Sequence, residues 1–315
     1  MSEGKQFLIT GGAGFIGSHL AQACLSHGHR VRVLDNLATG LESNLEGMDV
    51  DFVQGDVRDE ALLTRIMQGV DGVFHLAALP SVPRSVKDPY ASHDNNITGV
   101  LKVLIAARDA GAKMVFAGSS SAYGDTEVLP KNEDMPVRPL SPYAVTKVAG
   151  EQYLQVFARV YGMPTAIVRY FNVFGPRQRN DSPYSGVIAK FCRAALEGEV
   201  CKIEGDGLQS RDFTYVADAA RGTLLAMEKE VPGGEVINLA GGNRISLLDL
   251  VSSLSKLCGR EVGIQHVADR PGDVKHSQAD VNKALRLLGF ETEYSFDEGL
   301  EKTLEWYKKE HPAPC

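Results

Sequence analysis

The 315-residue sequence has a single tryptophan, five cysteines and no excess of basic residues. Its cysteines, Cys24, Cys192, Cys201, Cys258 and Cys315, are odd in number, scattered, and never form a C-x-x-C pair. That pattern excludes a disulfide framework or a zinc knuckle and fits free thiols in a reducing compartment. The eight histidines show no metal-ligand spacing, so no metal is expected. No apolar run approaches the ~18 residues that a bilayer-spanning helix requires. The opening residues, MSEGKQFLITGG, enter a strand almost at once and lack the apolar core of a signal peptide. A cytoplasmic protein without a membrane partner is the expectation. The net charge of −7 argues against a nucleic-acid partner, which would call for a clustered basic surface. It also means that an anionic substrate would have to be held by local arginine or lysine.

What is present is a regular alternation. Short apolar runs at 7–10, 31–35, 51–54, 72–75 and 113–118 have the texture of buried parallel strands. Amphipathic helical stretches at 15–27, 60–68 and 97–110 lie between them, and a long one at 143–161 precedes a further strand at 166–170. The alternation predicts an α/β fold with a Rossmann-type doubly wound parallel sheet. After Asn172 the pattern is lost, and a smaller, interleaved α/β domain is expected, mainly over 173–315. Roughly 212–240, including a strand at 235–238, is expected to return to the first domain, which otherwise spans 1–172. Two long helices, over 90–110 and 143–161, stand out.

Gly11, Gly14 and Gly17 punctuate the turn from the first strand into the first helix with the spacing G-x-x-G-x-x-G. The first permits the tight turn, the second lets backbone approach a pyrophosphate, and the third lets the helix pack on the sheet. The phosphates would then meet the free N–H groups of the helix start. A glycine-rich loop alone is a weak signal; the strand before, the helix after and an acid downstream supply the required context. Asp35 closes the second strand 18 positions beyond Gly17. A carboxylate there accepts hydrogen bonds from a ribose and repels a 2′-phosphate, favouring NAD over NADP. Asp56, at the end of the third strand, is placed to meet the adenine.

Tyr143 and Lys147 share one helix face at i and i+4. A free tyrosine, with a pKa of about 10, is a poor base at neutral pH. Bringing it to ~7 needs ~4 kcal/mol of differential stabilisation, which an adjacent ammonium and a positively charged nicotinamide can supply in a closed site. The fifth strand runs into Ser119, Ser120 and Ser121, whose hydroxyls should line the crevice at the strand's carboxyl end. His75, ending the fourth strand, reads as a satisfied core histidine.

Taken together, the segments TGGAGFIGSHL, LDNLATG, GDVRD, HLAA, SSSAYGD, SPYAVTK, RYFNVFGPRQ, GDGLQSRDFTYVAD and RPGDVKHSQAD resemble the extended short-chain dehydrogenase/reductase family. The similarity is to its NAD-dependent nucleotide-sugar 4-epimerases and covers nearly the whole chain. It implies that Tyr143 is the base and acid, that Lys147 holds the nicotinamide ribose, and that Ser119 is the catalytic hydroxyl. It implies cofactor contacts at Gly11, Phe15, Ile16, Asp35, Asn36, Asp56, Val57, Leu76, Ala77 and Asn95, with Phe171 at the nicotinamide end. Asn172, Arg211, Arg270 and Asp273 match contacts to the nucleotide-diphosphate part of a substrate, and these arginines supply the local cations that the net charge calls for. The reaction implied is a redox epimerisation: carbon 4 of the sugar is oxidised to a ketone, the sugar turns over, and hydride returns to its other face. A homodimer built on the two long helices is expected on the same ground.

For the sugar, the segment HLAALPSVPRSVKDP, with Ser81, and the Arg-Gln of GPRQ look most like epimerases of UDP-N-acetylglucosamine. Ser277 aligns with a gate at which a bulky tyrosine restricts relatives to hexoses without the acetyl group; serine leaves room. UDP-N-acetylglucosamine and UDP-N-acetylgalactosamine are therefore the expected pair, with UDP-glucose and UDP-galactose also accepted. Arg179 sits in a loop where UDP-glucuronate epimerases use arginine for the uronate carboxylate, which keeps that alternative open. Nucleotide-sugar 4,6-dehydratases share the first oxidation, but they carry an Asp-Glu pair where this chain has Ser120-Ser121, which cannot do that acid/base work. A non-enzymatic NAD sensor would not need tyrosine, lysine and serine together.

Overall fold

A computed structural model describes residues 4–180, 186–268 and 275–310. Its centre is a seven-stranded sheet. β1 (Gln6–Thr10), β2 (Arg30–Asp35), β3 (Val50–Gln54), β4 (Gly72–His75), β5 (Lys113–Ser119) and β6 (Thr165–Tyr170) are joined by the strand Glu235–Leu239. The spatial order from one edge is Glu235–Leu239, β6, β5, β4, β1, β2, β3, and every pairing is parallel. The order reverses beside β1, which opens the crevice where such sheets bind ligands.

Strand alternation sends successive side chains to opposite layers. Phe7 and Ile9 enter one core with Val115 and Val168, while Leu8 enters the other with Met114, Phe116 and Ile167. The first layer is closed by α1 (Phe15–Ser26) and the helix Val216–Glu228; the second by α2 (Glu60–Ile66), α5 (Gly99–Asp109) and α6 (Pro142–Tyr161). Both faces are covered, which is why the strands read as continuous apolar runs rather than alternating ones.

The long helical stretch expected over 90–110 is a continuous run in three pieces. They are α4 (Pro89–His93), a π-helical turn over Asp94–Thr98, and α5, with the separate α3 (Val82–Lys87) just before them. The π turn carries Asn95 and Asn96. Asn96 is buried, accepting from Leu79 N–H at 2.7 Å and donating to Leu79 O at 3.2 Å and Thr146 Oγ1 at 3.1 Å. It thereby ties this run to α6. The start of α6 follows from local chemistry: Ser141 Oγ accepts from Ala144 N–H at 3.1 Å, and Pro142 occupies the first helical position.

Beyond Asn172 the elements are short. Val173–Phe174 pairs with Thr214–Tyr215, Ser210–Arg211 with Ile245–Ser246, and Cys201–Glu204 with Ile264–Val267. A third core, built on Phe174, Phe191, Val216, Leu250 and Leu304 among others, lies under the helices Val187–Glu197, Leu247–Cys258 and Phe296–Glu310. Among the described residues, no helix is long and apolar enough to cross a membrane.

The glycine turn dictates how closely α1 approaches β1. A Cβ on Gly17 would stand 2.2 Å from Gly11 O and 2.8 Å from Gly12 Cα, both backbone atoms that cannot yield cheaply. A Cβ on Gly14 would meet only Gly11 O, at 3.1 Å. Gly17→Ala should therefore lower the unfolding free energy by ~1–3 kcal/mol, as overpacking does, and Gly14→Ala by clearly less; chemical denaturation of the two variants checks the difference.

Candidate functional site

α1 begins at Gly14 without a side-chain cap and without an acidic residue in its first turn, so its leading N–H groups are left for another acceptor. They open on a cavity of about 260 Å³ at the carboxyl ends of β1, β2 and β4. Gly11, Gly14, Phe15, Ile16 and Gly17 form one wall, and Asp35, Asn36 and Val57 another. Leu76, Ala77 and Asn95 close the far side, and Tyr143 and Lys147 stand at the end. Of the cofactor contacts expected from the sequence, only Asp56 and Phe171 fall outside this lining.

Asp35 is buried, with Oδ2 accepting from Ala13 N–H at 3.0 Å and Oδ1 from Leu37 N–H at 2.8 Å. Burial pushes its carboxyl up, and the two amide donors oppose that. The carboxylate is thus fixed at the mouth of the glycine turn, where a 2′-phosphate would be repelled. Asp56 points elsewhere: Arg58 holds it through Nη2 at 2.7 Å and Nε at 2.8 Å, and Asn36 Nδ2 donates to it at 3.0 Å. The Arg58 bonds keep its carboxyl well below the usual carboxylate range. Its neighbours Gly55 and Val57 line the cavity, while Asp56 reaches it only through Asn36. Phe171 is fully enclosed against Tyr123, Ala240 and Ala279, so its ring cannot reach the nicotinamide end. Tyr170, one residue earlier, lines the cavity in its place. Together, the glycine wall, the fixed Asp35 carboxylate and the uncapped helix start fit an NAD dinucleotide.

At the other end Lys147 is 5% exposed, donates to Ala117 O at 2.8 Å, and has Nζ 5.8 Å from the centre of the Tyr143 ring. Ser119 stands beside the Tyr143 phenol, whose pKa it lowers, and accepts from Ser121 Oγ at 2.8 Å. The three groups expected to act together do stand together. Their electrostatics differ from the sequence expectation in one respect. Burial pushes the Tyr143 phenol up to about 12, eased only by Ser119, and burial pushes the Lys147 ammonium down to about 8 against the pull of Glu151. The side chains around the phenol do not by themselves make it acidic, whereas a cation bound beside it would favour the phenolate. His75 is fully buried, with Nδ1 2.7 Å from Thr10 Oγ1, and burial lowers it to about 3. It is a neutral core histidine, although its Nε2 finds no partner among the described residues.

The expected substrate contacts form a separate group on the shorter elements. Asn172, with φ of +34°, donates to Asp212 O at 3.2 Å. Arg211 Nη1 donates to Ser210 O and Lys275 O, each at 3.1 Å, and the Ser277 N–H donates to Ser210 O at 3.0 Å. Ser277 is therefore pinned beside the strand that carries Arg211, buried at 6% exposure. Ser81 caps α3 with its hydroxyl, accepting from Arg84 N–H at 3.3 Å, at a strained φ of +110°. Ser120 is half-buried in the turn after β5, and Arg179 is exposed. Arg270 and Asp273 lie outside the described residues.

Sequence reasoning missed Asp212. Its carboxylate is wholly buried and accepts from the N–H groups of Gly241 at 3.0 Å, Gly242 at 3.1 Å and Ala279 at 2.9 Å. It joins the strand of Arg211 to the end of Glu235–Leu239 and to the segment of Ser277. No periodicity marks a carboxylate whose partners are backbone groups 29 to 67 positions away.

A family model described as the NAD dependent epimerase/dehydratase family matches residues 7–240. A solved structure, the UDP-N-acetylglucosamine 4-epimerase from Methanobrevibacter ruminantium in complex with UDP-N-acetylmuramic acid, is 40% identical to this chain. It superposes with a TM-score of 0.94, covering 98% of this chain and 99% of that one. The UDP-glucose 4-epimerase of Thermotoga maritima, solved with UDP-glucose, is 38% identical with a TM-score of 0.93, over 97% and 99% of the two chains. A UDP-glucuronate 4-epimerase of Thermodesulfobacterium geofontis is 37% identical over 96% of each chain.

Burying the Lys147 charge destabilises the protein by itself. Its folded pKa of about 8 lies below the ordinary 10.5, so the penalty is fully present below pH 8 and fades as pH rises towards 10.5. Without added NAD, Lys147→Met should be more stable than the parent by ~1–3 kcal/mol at pH 7, and the gap should narrow above pH 8; denaturation at pH 7 and pH 9.5 checks both magnitude and sign.

Proposed function

Because the chain belongs to the NAD dependent epimerase/dehydratase family, we propose that it is an NAD-dependent UDP-sugar 4-epimerase. The observation that carries the reading is the meeting of Tyr143, Lys147 and Ser119 at one end of the cavity. Bound NAD supplies the hydride acceptor and donor. The glycine turn and the α1 start hold the dinucleotide phosphates, Asp35 the adenosine ribose, and Lys147 the nicotinamide ribose. Tyr143 takes the proton from the sugar's 4-hydroxyl and later returns one, with Ser119 sharing the hydrogen bond. Arg211, Asn172 and, outside the described residues, Arg270 and Asp273 hold the nucleotide diphosphate while the 4-keto sugar turns. In this reading 1–172 together with 212–240 bind the cofactor, and the remainder binds the substrate.

For the sugar we favour UDP-N-acetylglucosamine and its 4-epimer, with UDP-glucose and UDP-galactose also accepted. Ser277 supports this, because a small side chain pinned next to Arg211 leaves space for an acetyl group. The 40% identical relative is named for the same substrate. UDP-glucuronate stands as an equal alternative on the relative of that name and on Arg179. Ser120 and Ser121 lack the carboxyl groups that dehydration would use. Incubation of the purified protein with UDP-glucose, UDP-N-acetylglucosamine and UDP-glucuronate tests the reading: the expected result is 4-epimers of the first two, with no loss of water from any. Ser277→Tyr should lower kcat/KM for the acetylated pair by roughly 100-fold while sparing UDP-glucose. Turnover of UDP-glucuronate alone would refute the sugar assignment.

We also propose a cytoplasmic homodimer. Free, largely buried Cys24, Cys192 and Cys201 suit a reducing compartment. α3, α4 and α6 expose Val86, Tyr90, Val156 and Val160 at 65, 79, 52 and 63%, an apolar surface of the kind that marks an interface. Light scattering should give twice the chain mass, and Tyr90→Glu with Val160→Glu should halve it.

A further inference from the structure

The proposed chemistry leaves unused a buried ion pair just behind the cavity wall. Glu151 lies one helical turn after Lys147 on α6, and Arg169 lies on β6, their side chains only 4% and 3% exposed. Arg169 Nε donates to Glu151 Oε1 at 2.9 Å and Nη2 to Oε2 at 2.6 Å. The wall in front of them is Gly118, where a Cβ would stand 2.9 Å from Glu151 Oε1, so the carboxylate closes directly on the backbone that lines the cavity. The guanidinium is 4.5 Å from the centre of the Tyr123 ring, whose hydroxyl donates to Asn238 Oδ1 at 2.7 Å.

The electrostatics of this arrangement are asymmetric. In a poorly screened interior, a carboxylate one turn from Lys147 would cancel much of the field that the ammonium exerts on Tyr143. Arg169 meets both oxygens of that carboxylate and leaves Lys147, Glu151 and Arg169 with one net positive charge. We propose that Arg169 and Glu151 are positioning residues that keep the charge of Lys147 uncancelled at Tyr143, and so set the pH at which that phenol becomes a base. The proposal rests on the reading of Tyr143 as the base. Other ionisable groups stand on the elements packed around Tyr143. Ser119 ends β5 and Tyr123 follows it, neutral His75 ends β4, and Tyr170 ends β6. Asp94 and Arg108 on the flanking helices are paired with Arg58 and Asp109. Of the charged groups buried behind the cavity wall, Glu151 and Arg169 are the pair whose balance a single substitution tips either way.

The test is the pH profile of kcat/KM for the NAD-loaded enzyme, whose acid limb reports the free enzyme's essential base. Arg169→Met leaves Glu151 unbalanced and should move the limb to higher pH by about one unit; Glu151→Gln leaves Arg169 unbalanced and should move it lower by about one unit. The double variant, in which neither charge remains unpaired, should return close to the parent position. Limbs that stay put while the rates fall, or that move in the same direction in both single variants, overturn the proposal. Should Arg169→Met fail to fold, the downward shift in Glu151→Gln and its reversal in the double variant decide the matter. Failure of the underlying reading looks different: the parent enzyme turns over no UDP-sugar, or Tyr143→Phe keeps full activity.

Discussion

A phenol set inside a protein cleft resists giving up its proton, and this molecule needs one that does so. The site is built around that conflict. Burial drives Tyr143 towards about 12 and Lys147 towards about 8, so each charged form is disfavoured by the same enclosure that brings the two together. Only positive charge delivered to the phenol reverses the balance. The cavity runs from the glycine turn to Tyr143 and Lys147 at the foot of α6, so in the proposed function a dinucleotide held there would bring its positive nicotinamide to the phenol.

The sheet makes that meeting possible. Its strand order reverses beside β1, so the carboxyl ends of β1, β2 and β4 fall along one crevice, and β5 delivers Ser119 to the same side. α6 is held on three sides, through Ser141 at its start, Asn96 on the π turn and Arg169 on β6. Tyr143 and Lys147 are therefore presented from a helix tied to both the π turn and β6, which suits groups that must hold their geometry through a reaction.

Features whose physics is local were legible in the sequence. The glycine spacing, the acid closing β2, the Ser-Pro start of α6 and the i, i+4 pair are each decided within a few residues, and each stands where it was expected. The alternation of apolar runs and helical stretches likewise implied the parallel sheet. The direction in which individual side chains turn was not legible. Asp56 turns to Arg58 rather than to the cavity, because a bidentate guanidinium two positions away outcompetes a solvent-facing role. β6 ends at Tyr170 as expected, but the Phe171 ring turns into a cluster with Tyr123, Ala240 and Ala279, partners from distant segments that local composition does not reveal. Glu151 with Arg169, and Asp212 with its amides, are pairings across 18 and up to 67 positions that leave no periodic trace.

Asp212 has a consequence for how such a protein can diversify. It grips Gly241, Gly242 and Ala279 through main-chain amides, which every residue except proline possesses. The grip on Ala279 is therefore made through main chain alone and does not involve the side chain at position 277, two residues earlier. On the proposed reading, which sets Ser277 beside the sugar, a substitution at that position would alter sugar selectivity without touching Tyr143, Lys147 or Ser119.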